Sequence, residues 1–469
     1  MLEYILSLSA IVDASPTTYS TTTPAESPSS CSKSTFLLLP NELLLFIFIY
    51  LKSTEIIEIF FNLNARINNL IFSHKHINEI DITQVDQTWI KKYLHITQPC
   101  INKLKFEEQH LAILFGQPSS LSQNIPLLYP KLHTIIFTEI DDTHNDDIKM
   151  YIEQFKILHQ STLILIFTCD IHQNLYIQLF QHNTHLETLH IDSNHISPSR
   201  DDYFPRITQN FYIKHLHIAL FCLYQTFILF ENLLQLESIH IDISHTPFGT
   251  YEGENFGTKP ITKHLKRFSL HGLIEDFEEL TFLIKQFSLT LEYLSLRIKC
   301  HTDVRLINGH YLHQELLSQL LKLKSFHFCF TLYPYQNHKD IKTLPCTIDL
   351  NEIIKTYQTP YWLERTIFFY EHIEKDYFFI ATLPYHYDYF RSISNNIVNY
   401  RLNKPRIIAT TTTGKDTVDR GDQQLSTTTL SSTMSKVKRI KFYVGSDEEM
   451  LTLELFQFIK QTFTRARIL

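Results

Sequence analysis

Glycine is scarce in this chain, with nine in 469 residues. No G-x-G-x-x-G or Walker sequence occurs, so the glycine-rich loops that bind dinucleotides or phosphates are missing. The chain also lacks H-E-x-x-H, G-x-S-x-G and the paired cysteine and histidine spacings of zinc sites. We therefore expect a protein that is not an enzyme and that uses neither a cofactor nor a metal.

Cysteine is also scarce, and acidic residues outnumber basic ones. The seven cysteines are never close enough for a C-x-x-C motif, and this sparse, odd number favours a reducing compartment. The net charge of −7 argues against a nucleic-acid partner, and no apolar run is long enough for a membrane span. We expect a cytoplasmic protein. The nucleus is an alternative because of one short basic stretch, residues 436–441.

Composition divides the chain into segments. Residues 1–35 are rich in Ser, Thr and Pro and predict a disordered leader. Residues 36–82 predict a helical module, 83–360 a repeat domain and 361–469 a C-terminal cap of strands and a helix. A Thr-rich insertion at 409–435 is also predicted to be disordered.

The helical module opens with Leu-Pro-Asn-Glu-Leu at positions 39–43 and continues as an apolar run to Leu51. Pro40 suits the first position of a helix, and Glu42 complements the positive end of its dipole. A second helix is expected to begin at a Ser53 or Thr54 cap, and a third after Asn64. The first helix is apolar almost all round, so its uncovered face predicts a protein partner.

These residues resemble an F-box. The resemblance rests on Leu39-Pro-x-Glu-Leu, on Ile47-Phe-x-Tyr-Leu51, and on Leu63-x-x-Arg66. It implies a three-helix module that docks on the Skp-type adaptor, and through it on the cullin, of a cullin–RING ubiquitin ligase. By motif position, the docking residues would be Leu39, Pro40, Leu43, Ile47 and Leu51. The alternative is an ordinary three-helix cap on the domain that follows.

An apolar-x-x-apolar-x-apolar pattern then repeats along the chain. From Leu186 onward the copies are 23 to 32 residues apart, and segments with helical periodicity lie between them. The spacing predicts an α/β fold, an irregular leucine-rich-repeat solenoid with parallel strands lining a curved sheet and helices outside. One further copy, near residues 163–167, has an ambiguous register, because either Leu163 and Leu165 or Ile164 and Ile166 could be the buried positions. The clear copies begin at Ile77, Ile101, Leu132, Leu186, Ile213, Leu236, Leu265, Leu291 and Leu323.

Strand alternation places the residues that flank the last two apolar positions on the exposed face of the sheet. His190, His217 and His240 should therefore stack as a ladder on neighbouring strands. We also expect Ser295 and Cys329 to be exposed on this face. The predicted binding surface for a target protein comprises His190, Asp192, His217, His240, Asp242, Arg267, Tyr293 and Arg297.

After residue 360 the composition becomes rich in aromatic residues. Residues 362–370 and 376–382 predict the two strands of a hairpin. Further strands are expected at 406–408 and 437–444, and a final helix begins with a Ser446–Glu449 capping box.

Together these patterns predict a substrate-recognition adaptor of an SCF-type ubiquitin ligase. The F-box-like module would bind the Skp-type adaptor, and the repeat sheet would bind an unknown protein substrate. The alternative is a leucine-rich-repeat scaffold that binds proteins but has no role in a ligase.

Overall fold

Parallel strands that follow one another in chain order form the framework of this protein in its computed structural model. The backbone divides into two compact units, residues 1–168 and 169–469. Among the residues described, no helix has both the length and the apolar character needed to cross a bilayer. The structure describes residues 38–73, 75–116, 125–140, 146–156, 161–167, 179–180, 186–193, 209–220, 222–243, 262–274, 277–300, 304–332, 349–372, 377–387, 389–393, 401–402, 434, 437, 439–442, 455, 457, 459–460 and 467–468.

The first unit opens with three short helices, α1 (Asn41–Phe48), α2 (Ser53–Phe60) and α3 (Ala65–Ser73). Leu44 and Phe48 of α1 are fully buried, and the Phe48 ring lies 5.2 Å from the ring of Phe60 in α2. One side of α1 is therefore fixed by aromatic packing against α2.

The caps of these helices were predicted in part. Asn64 caps α3 as expected, because its side-chain oxygen accepts the Ile67 N–H at 2.8 Å. The cap of α2 was placed wrongly at Ser53 or Thr54; it is Lys52, whose N–H donates to the Glu55 carboxylate at 2.8 Å. The Ser53 hydroxyl instead donates to the Glu79 carbonyl at 2.7 Å, which ties α2 to the first strand.

Four parallel strands follow in this unit, in the order β1 to β4. Their predicted apolar positions pair directly, with Ile135 of β3 opposite Leu163 of β4. Leu163 and Leu165 are buried, which settles the ambiguous register of β4. The strands are β1 (Glu79–Asp81), β2 (Lys103–Glu107), β3 (Thr134–Ile140) and β4 (Ser161–Phe167). The helices are α4 (Gln87–Thr97), α5 (Leu111–Phe115), α6 (Ile125–Leu128) and α7 (Asp146–Lys156).

The second unit contains six parallel strands, also paired in chain order. They are β5 (Leu186–Ser193), β6 (His215–Leu220), β7 (Ser238–Ile243), β8 (Arg267–Leu273), β9 (Tyr293–Cys300) and β10 (Ser325–Leu332). The pairing confirms the predicted parallel stack at these copies. One buried apolar row crosses all six strands: Leu189, Leu216, Ile239, Phe268, Leu294 and Phe326.

Helices between these strands cover the apolar side of the stack. The ring of Phe230 in α8 lies 6.2 Å from Phe268 of β8 and 4.7 Å from Phe287. The helical segment expected before β10 is a short α-helix followed by a π-turn and a 3-10 turn, and most of the one expected before β5 lies outside the described residues. The helices are α8 (Tyr224–Asn232), α9 (Phe277–Lys285), α10 (Gly309–Tyr311), α11 (Leu350–Thr356) and α12 (Pro360–Leu363).

The predicted C-terminal hairpin is confirmed. Strands β11 (Thr366–His372) and β12 (Tyr377–Leu383) pair antiparallel, and β12 pairs antiparallel with β10. Strand β14 (Arg401–Leu402) pairs with the outer side of β11. A small parallel sheet contains β13 (Tyr389–Ile393), β15 (Arg439–Phe442) and β16 (Arg467–Ile468).

Several C-terminal and N-terminal expectations fall outside the described residues. These are the leader at 1–35, the strand at 406–408, the capping box at 446–449 and nearly all of the insertion at 409–435. Met434 is the described residue of that insertion, and it is buried in a core cluster with Tyr385 and Ile459. The expectation of disorder was therefore wrong at this position, because Met434 has apolar neighbours far along the chain.

A row of alternating charges runs across the second unit at the start of each strand, and we call it the charge ladder. Its members are Glu187, Lys214, Glu237, Lys266, Glu292 and Lys324, and the N–H of each later member donates to the carbonyl of the one before at 2.8 to 2.9 Å. Side-chain ion pairs join Lys214 to Glu187 at 2.7 Å, Lys266 to Glu237 at 2.8 Å and Lys324 to Glu292 at 2.7 Å. Because a shift by one repeat would place like charges opposite each other, the ladder favours the native strand order.

Lys266→Glu should weaken the second unit measurably, because it places a carboxylate between those of Glu237 and Glu292. The matched control is Lys263→Glu, at an exposed lysine outside the ladder, which makes the same change in net charge. Urea unfolding of both variants measures the difference. Because the charges are exposed, the difference should shrink in 1 M NaCl, and equal stabilities at low salt would contradict the ladder's role.

Candidate functional site

The outer side of α1 exposes apolar side chains, and we call Leu43, Phe46, Ile49 and Tyr50 the α1 surface. Their side chains are 50, 54, 59 and 64% exposed, respectively. Leu43 and Phe46 are spaced i and i+3, which places them on one face of the helix, and Ile49 and Tyr50 lie in the turn directly after its last residue. Exposed apolar groups of this kind mark sites where a protein partner binds.

A hydrogen bond from α3 positions the start of α1. The Arg66 guanidinium donates to the Leu39 carbonyl at 2.6 Å. The arginine of the Leu63-x-x-Arg66 motif thus holds Leu39, the residue that precedes Pro40 at the N-cap of α1. This contact links the motif's last part to its first, which sequence spacing alone does not show.

None of the five residues predicted to dock an adaptor is buried. Pro40 and Leu43 are exposed, and Leu39, Ile47 and Leu51 are half-buried. Motif position did not include Phe46, Ile49 and Tyr50, although their side chains are exposed on α1 or in the turn that follows it. The apolar run itself could have revealed them, since a helix with two buried residues leaves the other apolar side chains outside.

A second group of side chains lies on the polar side of the parallel stack in the second unit. We call His190, His217, His240, Asp242 and His271 the histidine cluster. Strand pairing places His190 opposite His217, and His217 opposite His240. The His190 and His217 rings stack at 3.9 Å between centroids, and those of His217 and His240 lie 4.2 Å apart edge to face. The predicted histidine ladder is present in the structure.

Asp242 is the centre of this cluster. Its Oδ2 atom lies 2.8 Å from His217 Nε2 and 3.5 Å from His240 Nε2, and its Oδ1 accepts a hydrogen bond from His271 Nδ1 at 2.8 Å. One carboxylate therefore contacts imidazoles from three strands. His217, His240 and Asp242 present one nitrogen or oxygen each within 4.8 Å of one another, the spacing of groups that can share a cation.

Sequence reasoning missed His271 as a member of this network. The register pairs His271 with Asp242 directly across β7 and β8. Gly272 permits this approach. Its φ is +145°, and a Cβ there would lie 2.2 Å from the Ile243 carbonyl oxygen. The glycine directly after this histidine was the clue in the sequence, because glycine is favoured where two strand backbones approach closely.

The cluster shifts the pKa values of its members. Burial, together with the neighbouring His217 and His240, lowers the pKa of His190 to about 4, and the opposing effect of Asp242 is smaller. Burial also lowers the pKa of His271, against the opposing hydrogen bond to Asp242. Burial alone would raise the pKa of Asp242, but hydrogen bonds from three histidines hold it well below its usual value. At neutral pH the cluster is therefore an ionised aspartate beside a neutral His190 and a neutral His271.

The remaining predicted target-binding residues form a second group beside this cluster on the same strands. The Arg267 guanidinium lies over the Tyr293 ring at 4.9 Å, and that of Arg297 over the Tyr387 ring at 5.4 Å. Asp192, half-buried on β5, does not join the network around Asp242 among the described residues. The structure thus divides the predicted surface into an anionic histidine part and a cationic aromatic part.

Part of the predicted exposed face is covered. Ser295 and Cys329 are buried, so the expectation that both are exposed was wrong. The Tyr387 hydroxyl contacts the Ser295 hydroxyl at 3.2 Å and donates to the Leu296 carbonyl at 3.0 Å. Cys329 packs in the core cluster that includes Tyr385. Among the described residues, C-terminal side chains therefore cover β9 and β10 and leave the polar side open from β5 to β8.

No protein-family model matches the chain, and no curated protein matches it significantly.

Stability should fall as pH drops from 6.5 towards 4. In that window the unfolded chain protonates residue 190 while the folded chain, with a pKa of about 4, does not. At pH 5 the unfolding of the wild type should therefore take up about one more proton than the unfolding of His190→Phe. The phenylalanine ring can still stack on His217 but does not titrate. Urea unfolding at pH 7 and pH 5 measures this. His264→Gln, at an exposed histidine, is the control, and equal pH dependence of wild type and His190→Phe would contradict the assignment.

Proposed function

We propose that this protein is a substrate-recognition adaptor of an SCF-type ubiquitin ligase, with an F-box module at residues 36–82 and a degenerate leucine-rich-repeat domain. The exposed α1 surface carries this proposal. A helix that buries Leu44 and Phe48 and exposes several other large apolar side chains is half of an interface. The F-box resemblance implies the partner of this surface, a Skp-type adaptor bound to a cullin.

Two features of the first unit support an F-box module. The first two short helices contact each other through the Phe48 and Phe60 rings, and Arg66 of the third helix donates a hydrogen bond to the Leu39 carbonyl. The exposed side chains are large and partly aromatic, which is the composition enriched at the centres of protein interfaces. The motif residues Pro40 and Leu43 lie among them and are exposed.

The open part of the polar side, from β5 to β8, would bind the target. Asp242 supplies negative charge on β7, and Arg267 supplies positive charge on the neighbouring β8. A surface with both signs at fixed spacing selects a partner by charge complementarity. Strands in a continuous ladder also hold this surface rigidly, so a bound target keeps a fixed position and a high effective concentration.

The double variant Pro40→Ala/Leu43→Ala should reduce the affinity for a purified Skp-type adaptor at least about tenfold, because it removes exposed apolar contacts from the interface. Both side chains are exposed, so stability should change little. Isothermal titration calorimetry measures the affinity.

Leu127→Ala is the matched control, since Leu127 is an apolar residue 78% exposed on α6 and should leave adaptor binding unchanged. Failure of the wild-type chain to bind the adaptor would contradict the proposal. It would leave a leucine-rich-repeat scaffold with no role in a ligase.

The charge of the target-binding face can be tested separately. Arg267→Glu should reduce recovery of proteins that co-purify with the wild type from cells, because the guanidinium is exposed on this face. The adaptor should still co-purify with this variant. Lys263→Glu is the charge-matched control, and quantitative mass spectrometry compares the three samples. An unchanged set of co-purifying proteins would contradict a role for Arg267 in target binding.

A further inference from the structure

Three side chains of the histidine cluster are arranged as metal ligands are on a β-sheet. His240 and Asp242 lie two residues apart on β7, so both side chains point to the same face. His217 lies directly opposite His240 on β6. Two imidazoles and one carboxylate thus converge from two adjacent strands, and each belongs to a type of ligand that binds Zn²⁺.

The distances between the donor atoms are close to those that a metal requires. Ligand atoms about 2.0 to 2.1 Å from a tetrahedral Zn²⁺ lie about 3.3 Å from one another. Asp242 Oδ2 is 3.5 Å from His240 Nε2 and 2.8 Å from His217 Nε2. Small side-chain rotations would open the shorter distance and admit a cation where the His217 Nε2 proton now lies.

The surrounding residues hold two of these ligands in place. His271 Nδ1 donates to Asp242 Oδ1 at 2.8 Å, which leaves Oδ2 directed at the two other imidazoles. The His190 ring stacks on His217 at 3.9 Å and restricts its rotation. Such outer partners orient metal ligands and raise affinity.

We propose that His217, His240 and Asp242 form a binding site for a divalent transition-metal ion, with Zn²⁺ as the expected occupant. The three side chains are 28, 43 and 34% exposed, so a fourth coordination position faces solvent and can hold water. Two nitrogen ligands disfavour Mg²⁺ and Ca²⁺, which prefer all-oxygen sites. The site does not depend on the proposed ligase role.

The first test is a titration of the untagged, chelator-treated full chain with Zn²⁺ at pH 7.5, followed by calorimetry. We expect one strong site per chain with micromolar or tighter affinity, and no saturation by millimolar Mg²⁺. Titration with Co²⁺ should give the visible absorption bands of a four-coordinate site. Absence of a saturable site in the wild type would overturn the proposal, whatever the variants do.

Four single variants locate the site. His240→Gln and Asp242→Asn remove a ligand and should weaken Zn²⁺ binding at least about 100-fold, and His271→Gln removes an outer partner and should weaken it about 10- to 100-fold. His215→Gln, an exposed histidine on the same face of β6, should bind as the wild type does. Circular dichroism checks that each variant folds. Equal Zn²⁺ affinity in all four would show adventitious binding elsewhere and overturn the assignment.

Discussion

The structure depends on the register in which neighbouring parallel strands pair. In the second unit the same repeat position meets itself across six strands, so the second and third apolar positions of the pattern each form a buried row. A slip by one residue would turn a whole strand over and exchange its buried and exposed side chains. The charge ladder adds a second condition, because it distinguishes each strand from its neighbours by sign. The histidine cluster is a consequence of this register, since Asp242 reaches His217 and His271 across the strands on either side.

Much of this framework could be predicted from the sequence, because strand alternation is local. The apolar-x-x-apolar-x-apolar copies located nine of the ten strands β1 to β10, and alternation placed His190, His217 and His240 in one row. The fourth strand was predicted without its register, which depends on the partner residue Ile135. The alternation of Glu and Lys in the second position of the later copies was also readable in the sequence. This alternation predicts the same strand order.

The parts that could not be predicted depend on contacts between residues far apart in the chain. Ser295 and Cys329 look exposed from alternation alone, and they are buried because Tyr385 and Tyr387 lie over them. Ser53 looks like a helix cap, but its hydroxyl bonds to the carbonyl of Glu79. The network around Asp242 is similar: its three histidines come from three strands, and only the paired register brings them together.

The α1 surface is the feature with the most direct bearing on function. Its apolar side chains are exposed in the chain alone, which is unfavourable unless a partner covers them. Hydrogen–deuterium exchange of the full chain, with and without a purified Skp-type adaptor, tests this most directly. Our account predicts slower exchange in residues 38–51 on adding the adaptor and unchanged exchange in β5 to β8. Unchanged exchange in residues 38–51 at saturating adaptor would contradict it.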